Sequence, residues 1–217
     1  MAELTLVRHG QANTGAQDEE SYDRLSELGH RQAGWLGDYL RQTDPFERIV
    51  SGTLRRQIET ARGLNFGDLT HEQDARLNEI SYFDMAYALR DSHGLPLPQS
   101  QTAFAAHVPQ VLEFWKKGEI DPRIESYDSF RGRITEALQD AADHGLRTLL
   151  VTSTGVIATL TALALGLDMP RKSKMFLAVG HTSLHKFQLR DGDIHLMQFG
   201  ATPHLDLPER REARTFV

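Results

Sequence analysis

The chain has 217 residues, 40% of them hydrophobic, enough for one sizeable core with an insertion. A formal charge of −6 with no long basic run excludes a general nucleic-acid surface but leaves room for a small anion site built from two or three cations. There is no cysteine, which excludes a disulfide framework and a thiolate zinc site, and no stretch approaches a membrane span.

The first strand begins almost at Met1, so the expectation is a cytoplasmic protein without a signal peptide. Residues 4–7 form an apolar run that reads as a strand buried on both faces, ending in Arg8, His9 and Gly10. The carboxyl end of a parallel strand is where an open α/β sheet binds its ligand. There Arg8 offers a charged fork for phosphate, His9 a ring nitrogen able to attack phosphorus, and Gly10 close backbone approach. Gln11 and Asn13 open a polar loop and are placed to line the rim of an anion pocket. A helix capped by Ser26 follows, with Leu28, Ala33, Leu36 and Leu40 as its apolar stripe and Gln32 and Arg41 facing out.

A second strand-turn-helix unit runs from Arg48-Ile49-Val50 through Ser51-Gly52-Thr53 into a helix at residues 54–62. Its first turn carries Arg55 and Arg56. Cations there oppose the helix dipole unless an anion sits nearby, so one of the two is a candidate phosphate clamp. Glu79 lies between the apolar anchors Leu77 and Ile80; burial would raise its pKa and favour the proton-donating form. Residues 82–122 read as a cap insertion: an aromatic stretch, a Gly/Pro-rich loop, then an apolar helical stretch at 104–117 interrupted at Pro109. A long helix opens at Glu125-Ser126 and ends at Gly145.

The third unit is the buried strand 148–152, then Ser153-Thr154-Gly155 and an apolar helix to Leu165. Free N–H groups and the Ser153 and Thr154 hydroxyls at that helix start form an anion site, with side-chain capping by one of the two. A hairpin follows at 183–199 with Asp191-Gly192 as its turn, and the charged tail from Pro203 reads as loosely held. The strand ends thus supply a nucleophile, two cations, a helix terminus and, with Glu79, an acid: a complete set for phosphoryl transfer through a covalent intermediate.

Several segments together resemble the histidine phosphatase (phosphoglycerate mutase-like) superfamily, over most of the chain: Leu6-Val7-Arg8-His9-Gly10-Gln11, residues 25–33, residues 51–61, Leu77-Asn78-Glu79, and Glu125-Ser126 with Phe130 and Arg133. The resemblance implies one three-layer α/β/α sandwich over residues 1–217, with a mostly parallel central sheet and a helical cap at about 82–122 that sets specificity. It implies that His9 is phosphorylated, that Arg8 holds the phosphate, that Arg56 rather than Arg55 is the second clamp, and that Glu79 is the proton donor. One departure stands out. The fourth-strand motif normally places a His after Val-Thr, and here Ser153 takes its place. A serine brings a hydrogen bond but no positive charge, a loss of about two to three decades in rate unless another group fills in. His181, where relatives often carry Asn, is the expected substitute.

The sequence reading is therefore a metal-independent phosphomonoester hydrolase acting on a small phosphorylated metabolite, with no cofactor, no nucleic-acid or membrane partner, and a homodimer left open. Two alternatives stand beside it: a phosphoester-binding protein or scaffold of the same fold with weak or no catalysis, and a phosphoglycerate mutase.

Overall fold

The computed structural model describes residues 2–16, 18–43, 46–67 and 69–216. Its frame is a six-stranded sheet of order β3-β2-β4-β1-β5-β6, in which β1 is Ala2–Arg8, β2 Arg48–Ser51, β3 His71–Gln73, β4 Thr148–Thr152, β5 Leu184–Arg190 and β6 Asp193–Ala201. The pairs β1–β4, β4–β2 and β2–β3 are parallel, while β5 runs antiparallel to β1 and carries the edge strand β6. The helices are α1 (Glu19–Tyr22), α2 (Glu27–Thr43), α3 (Arg55–Gly63), α4 (Tyr82–His93), α5 (Gln101–Lys117), α6 (Tyr127–Asp143), α7 (Thr154–Leu165) and α8 (Met169–Ala178).

Strand alternation sorts the core into two layers. Leu4, Leu6, Val50 and Leu150 face one way, into a cluster with Met85 and Leu89 of α4, Trp115 of α5, Phe130 and Ile134 of α6, Ile157 of α7 and Phe176 of α8. Val7, Ile49, Leu149 and Val151 face the other way, against Leu36 and Leu40 of α2 and Ala61 of α3. The result is the expected three-layer sandwich with a mostly parallel sheet. Among the described residues no helix is long and apolar enough to cross a membrane.

The register brings the functional strand ends level: Arg8 pairs with Thr152, and Ser51 with Val151. The turn after β1 is clamped by α2. A Cβ on Gly10 would stand 2.6 Å from the Gly29 carbonyl oxygen, and one on Gly29 would stand 2.1 Å from that of Gln11, so no side chain fits at either position.

Several local readings change. Gln32 does not face out: it is buried, accepting from the Gln11 N–H and donating to the Ala213 carbonyl and Thr215 hydroxyl, and those three partners are what make its burial affordable. Helix α5 runs through Pro109 without interruption. The carbonyl that Pro109 leaves unpaired belongs to Ala105, an exposed residue, so water can satisfy it. The aromatic stretch after Ile80, to which the sequence assigns no element, is a helix, α4. The tail is not loose: Pro203–Leu205 and Pro208–Ala213 form 3-10 turns, Leu205 and Ala213 are buried, and the Phe216 carbonyl accepts from Arg8.

Candidate active site

His9 follows β1 directly and is fixed by its own backbone, its N–H donating to the Thr152 carbonyl at 2.9 Å. Its Nδ1 lies 2.8 Å from the Gly10 carbonyl oxygen. A carbonyl only accepts, so Nδ1 carries the proton and the neutral ring keeps its lone pair on Nε2. Burial, then the nearby Arg56 and Arg8 charges, holds the His9 pKa well below the ordinary imidazole range. The ring is therefore neutral near pH 7, the state a nucleophile needs.

Two guanidiniums close on this ring. Arg8 donates from Nη1 to the carbonyls of Val179 at 2.5 Å and Phe216 at 2.6 Å, which anchors one edge of the group to backbone. Arg56, at the start of α3, pairs with Glu19 at 2.8 Å and Asp23 at 3.1 Å. Arg55, by contrast, is exposed on Glu59, so of the two arginines only Arg56 enters the site. The Nε atoms of both Arg8 and Arg56 are buried and have no hydrogen-bond partner among the described residues. Two buried cationic donors beside an imidazole are the groups that can stabilise an oxyanion. Burial works against the Arg56 charge, but Glu19, Tyr22, Glu79 and Asp23 outweigh it and its pKa is raised; burial lowers that of Arg8.

Glu79 reaches the site from the loop before α4 and sits on the N-terminus of α7, where both its oxygens accept from the Gly155 N–H, at 3.0 and 2.9 Å. Ser153 is the N-cap of α7 yet makes no side-chain cap hydrogen bond. Hydroxyl capping of this helix is thus corrected: the Glu79 carboxylate takes the N–H, as suits a positive helix end. Ser153 is fully buried and its Oγ accepts from Gln57 Nε2 at 2.8 Å. Thr154 is buried beside it in the first turn of α7.

His181 lies where a substitute for the missing histidine is expected, its ring centroid 5.8 Å from that of His9. Its Nδ1 and N–H are tied to Thr215. Burial, with Arg8 and His9 next, keeps its pKa well below the ordinary range, so it brings a hydrogen-bonding ring but no positive charge. Gln11 Oε1 accepts from the Ser26 hydroxyl and Asn13 Nδ2 donates to the Ser21 carbonyl, each stitching the loop to itself. Their role is to shape the loop that carries α1.

The residues the sequence reading missed all come from that loop, α3 or the tail. Tyr22 stacks on the Arg56 guanidinium at 4.9 Å from its centroid and meets the His9 ring edge-on at 6.4 Å. Asp23 also accepts from the Arg55 and Arg56 N–H groups, capping α3. The acidic run at residues 18–20 was visible in sequence; its partner on α3 was not. No group of three or more His, Cys, Asp or Glu among the described residues is arranged to hold a metal ion.

A profile of the histidine phosphatase superfamily (branch 1) matches residues 4–202. Curated protein sequences give no match. Among solved structures, the chain is similar to a phosphoserine phosphatase mutant from Entamoeba histolytica in complex with phosphoserine (TM-score 0.70, 21% identity, 94% of this chain and 100% of that one). It is also similar to a phosphoglycerate mutase from Bacillus anthracis (TM-score 0.69, 23% identity, 94% of each chain). A mycobacterial glucosyl-3-phosphoglycerate phosphatase, solved with VO3, matches at a TM-score of 0.65 and 24% identity, over 93% of this chain and 100% of that one.

Proposed function

The chain belongs to the histidine phosphatase superfamily, and on that footing we propose that it hydrolyses small phosphomonoesters through a phosphohistidine on His9, without a metal. One observation carries the reading: the neutral His9 ring, its Nδ1 held by the Gly10 carbonyl, lies in the field of both Arg8 and Arg56, each of which keeps a buried Nε without a partner among the described residues.

The lone pair of His9 Nε2 attacks phosphorus as the ester P–O bond breaks. Arg8 and Arg56 stabilise the charge on the non-bridging oxygens. Glu79, protonated, gives its proton to the leaving alcohol oxygen; as the carboxylate it then takes a proton from the water that attacks the phosphohistidine, returning His9 and releasing inorganic phosphate. The cavity next to Glu79, about 1020 Å³ between α4 and residues 118–125, is the place for the leaving group.

A second reading, phosphoester binding with weak turnover, is favoured by Ser153 and the uncharged His181: the positive charge at the phosphoryl locus rests on two guanidiniums. Steady-state hydrolysis of an aryl phosphate separates the two. The hydrolase reading expects measurable turnover that His9→Ala lowers by at least about a thousandfold, since the covalent route is lost. Turnover unaffected by His9→Ala would overturn it, and phosphate binding without turnover would select the second reading.

A further inference from the structure

The site as folded is nearly sealed: residue exposures are 1% for Arg56, 2% for Arg8 and His9, and 4% for His181. The seal is α1. Its Glu19 carboxylate sits on Arg56 Nη1 at 2.8 Å, on the same guanidinium whose Nε has no partner among the described residues. Its Tyr22 ring covers the Arg56 plane and the edge of His9, and is propped from behind by Phe83 of the cap at 6.1 Å between centroids. The cavity beside Glu79 is lined by neither His9 nor the two arginines.

We propose that α1 is a self-inhibitory plug: Glu19 acts as an internal stand-in for the substrate phosphoryl group, and a phosphomonoester must displace it from Arg56 to reach His9. The proposal rests on the phosphatase reading of the same site. A single carboxylate bears one negative charge and a phosphomonoester at neutral pH close to two, so the exchange favours substrate at the paired guanidiniums. What holds α1 down is short-range: the Glu19 ion pair, the Tyr22 ring on Arg56 and against Phe83, the Asn13 contact to the Ser21 carbonyl, and at its C-terminal end Asp23, which pairs with Arg56 and accepts from the Arg55 and Arg56 N–H groups. Burial raises the Glu19 pKa, a sign that its carboxylate is held in the site at some cost.

The test is inorganic phosphate titrated by calorimetry into the full chain, comparing the parent with Glu19→Gln, Glu19→Ala and, as a control, Glu20→Gln, whose carboxylate is exposed on the same helix. Thermal melts establish that each variant is folded. The plug predicts phosphate binding at least tenfold tighter in both Glu19 variants and unchanged in Glu20→Gln, with faster carbethoxylation of His9 by diethylpyrocarbonate in the Glu19 variants. Equal or weaker phosphate binding in folded Glu19 variants, or no binding in any protein, overturns it. The two readings fail separately. A gain in phosphate affinity without phosphohistidine formation keeps the plug and sinks the hydrolase, whereas turnover with identical phosphate affinities does the reverse.

Discussion

At the scale of single residues, three of the groups on which the chemistry depends are held by backbone. His9 takes its tautomer from a carbonyl, Arg8 its orientation from two carbonyls, and Glu79 its position from the Gly155 N–H. This makes Gly155 a sensitive position, because a Cβ there would stand 2.2 Å from Glu79 Oε1 and force the carboxylate off the helix end. Gly155→Ala is expected to lower kcat by about a hundredfold, the scale of a misplacement near 1 Å, while the melting temperature moves by only a few degrees. Comparing kcat with the melt for that variant checks it. Loss of folding rather than of rate would mean that the glycine serves the fold alone.

Residue-scale signals were also the ones sequence carried best. Arg8-His9-Gly10 and the Arg55-Arg56 pair are readable because each sits at a strand end or helix start, where local pattern fixes the element, while the choice of Arg56 over Arg55 comes only from the family resemblance. The contact of Glu79 with Gly155 spans 76 positions, and no local pattern encodes it. Gln32 fails for the same reason, since the partners that bury it lie in the tail.

At the scale of elements, the three strand-turn-helix units build the anion locus while two irregular segments close it. The tail supplies the Phe216 carbonyl to Arg8 and the Thr215 hydroxyl to His181, so a segment that composition marks as loose is a positioning element of the site. Truncation after Ala213 is expected to reduce kcat/KM by about ten- to a hundredfold through loss of Arg8 orientation, with little change in the sheet signal by circular dichroism. Full activity in the truncated chain would show that Val179 alone orients Arg8. The cap helices were harder to read than the sandwich. The pattern of α4 mixes aromatic and charged residues with a weak apolar stripe, and Pro109 argues against helix on local grounds although an exposed turn tolerates it.

At the scale of the molecule, several buried imidazoles tie stability to pH. Burial holds His9 and His181 well below the ordinary imidazole pKa, and takes His185 and His204 down to about 3. Above pH ~6.5 both folded and unfolded chains keep these rings neutral, so they add no pH dependence. As pH falls below that value the unfolded chain takes up protons the folded one refuses, and stability drops steadily toward the folded-state pKa values. Calorimetric melts are therefore expected to be level between pH 7 and 8 and to fall from pH 6.5 to 4, with net proton uptake on unfolding near pH 5. A melting temperature that is flat down to pH 5 would contradict the neutral burial of these rings.

The molecule is a sheet whose parallel strand ends place His9 and Arg8 level with the start of α3, which carries Arg56, with Glu79 on the N-terminus of α7 and Glu19 of α1 paired to Arg56. The most direct measurement is a rapid acid-free quench of the enzyme mixed with a labelled phosphomonoester, followed by digestion and mapping of the label. The account predicts an acid-labile, base-stable phosphoryl group on the peptide bearing His9, absent from His9→Ala. Label on another residue, or turnover with no phosphoenzyme at any time point, would contradict it.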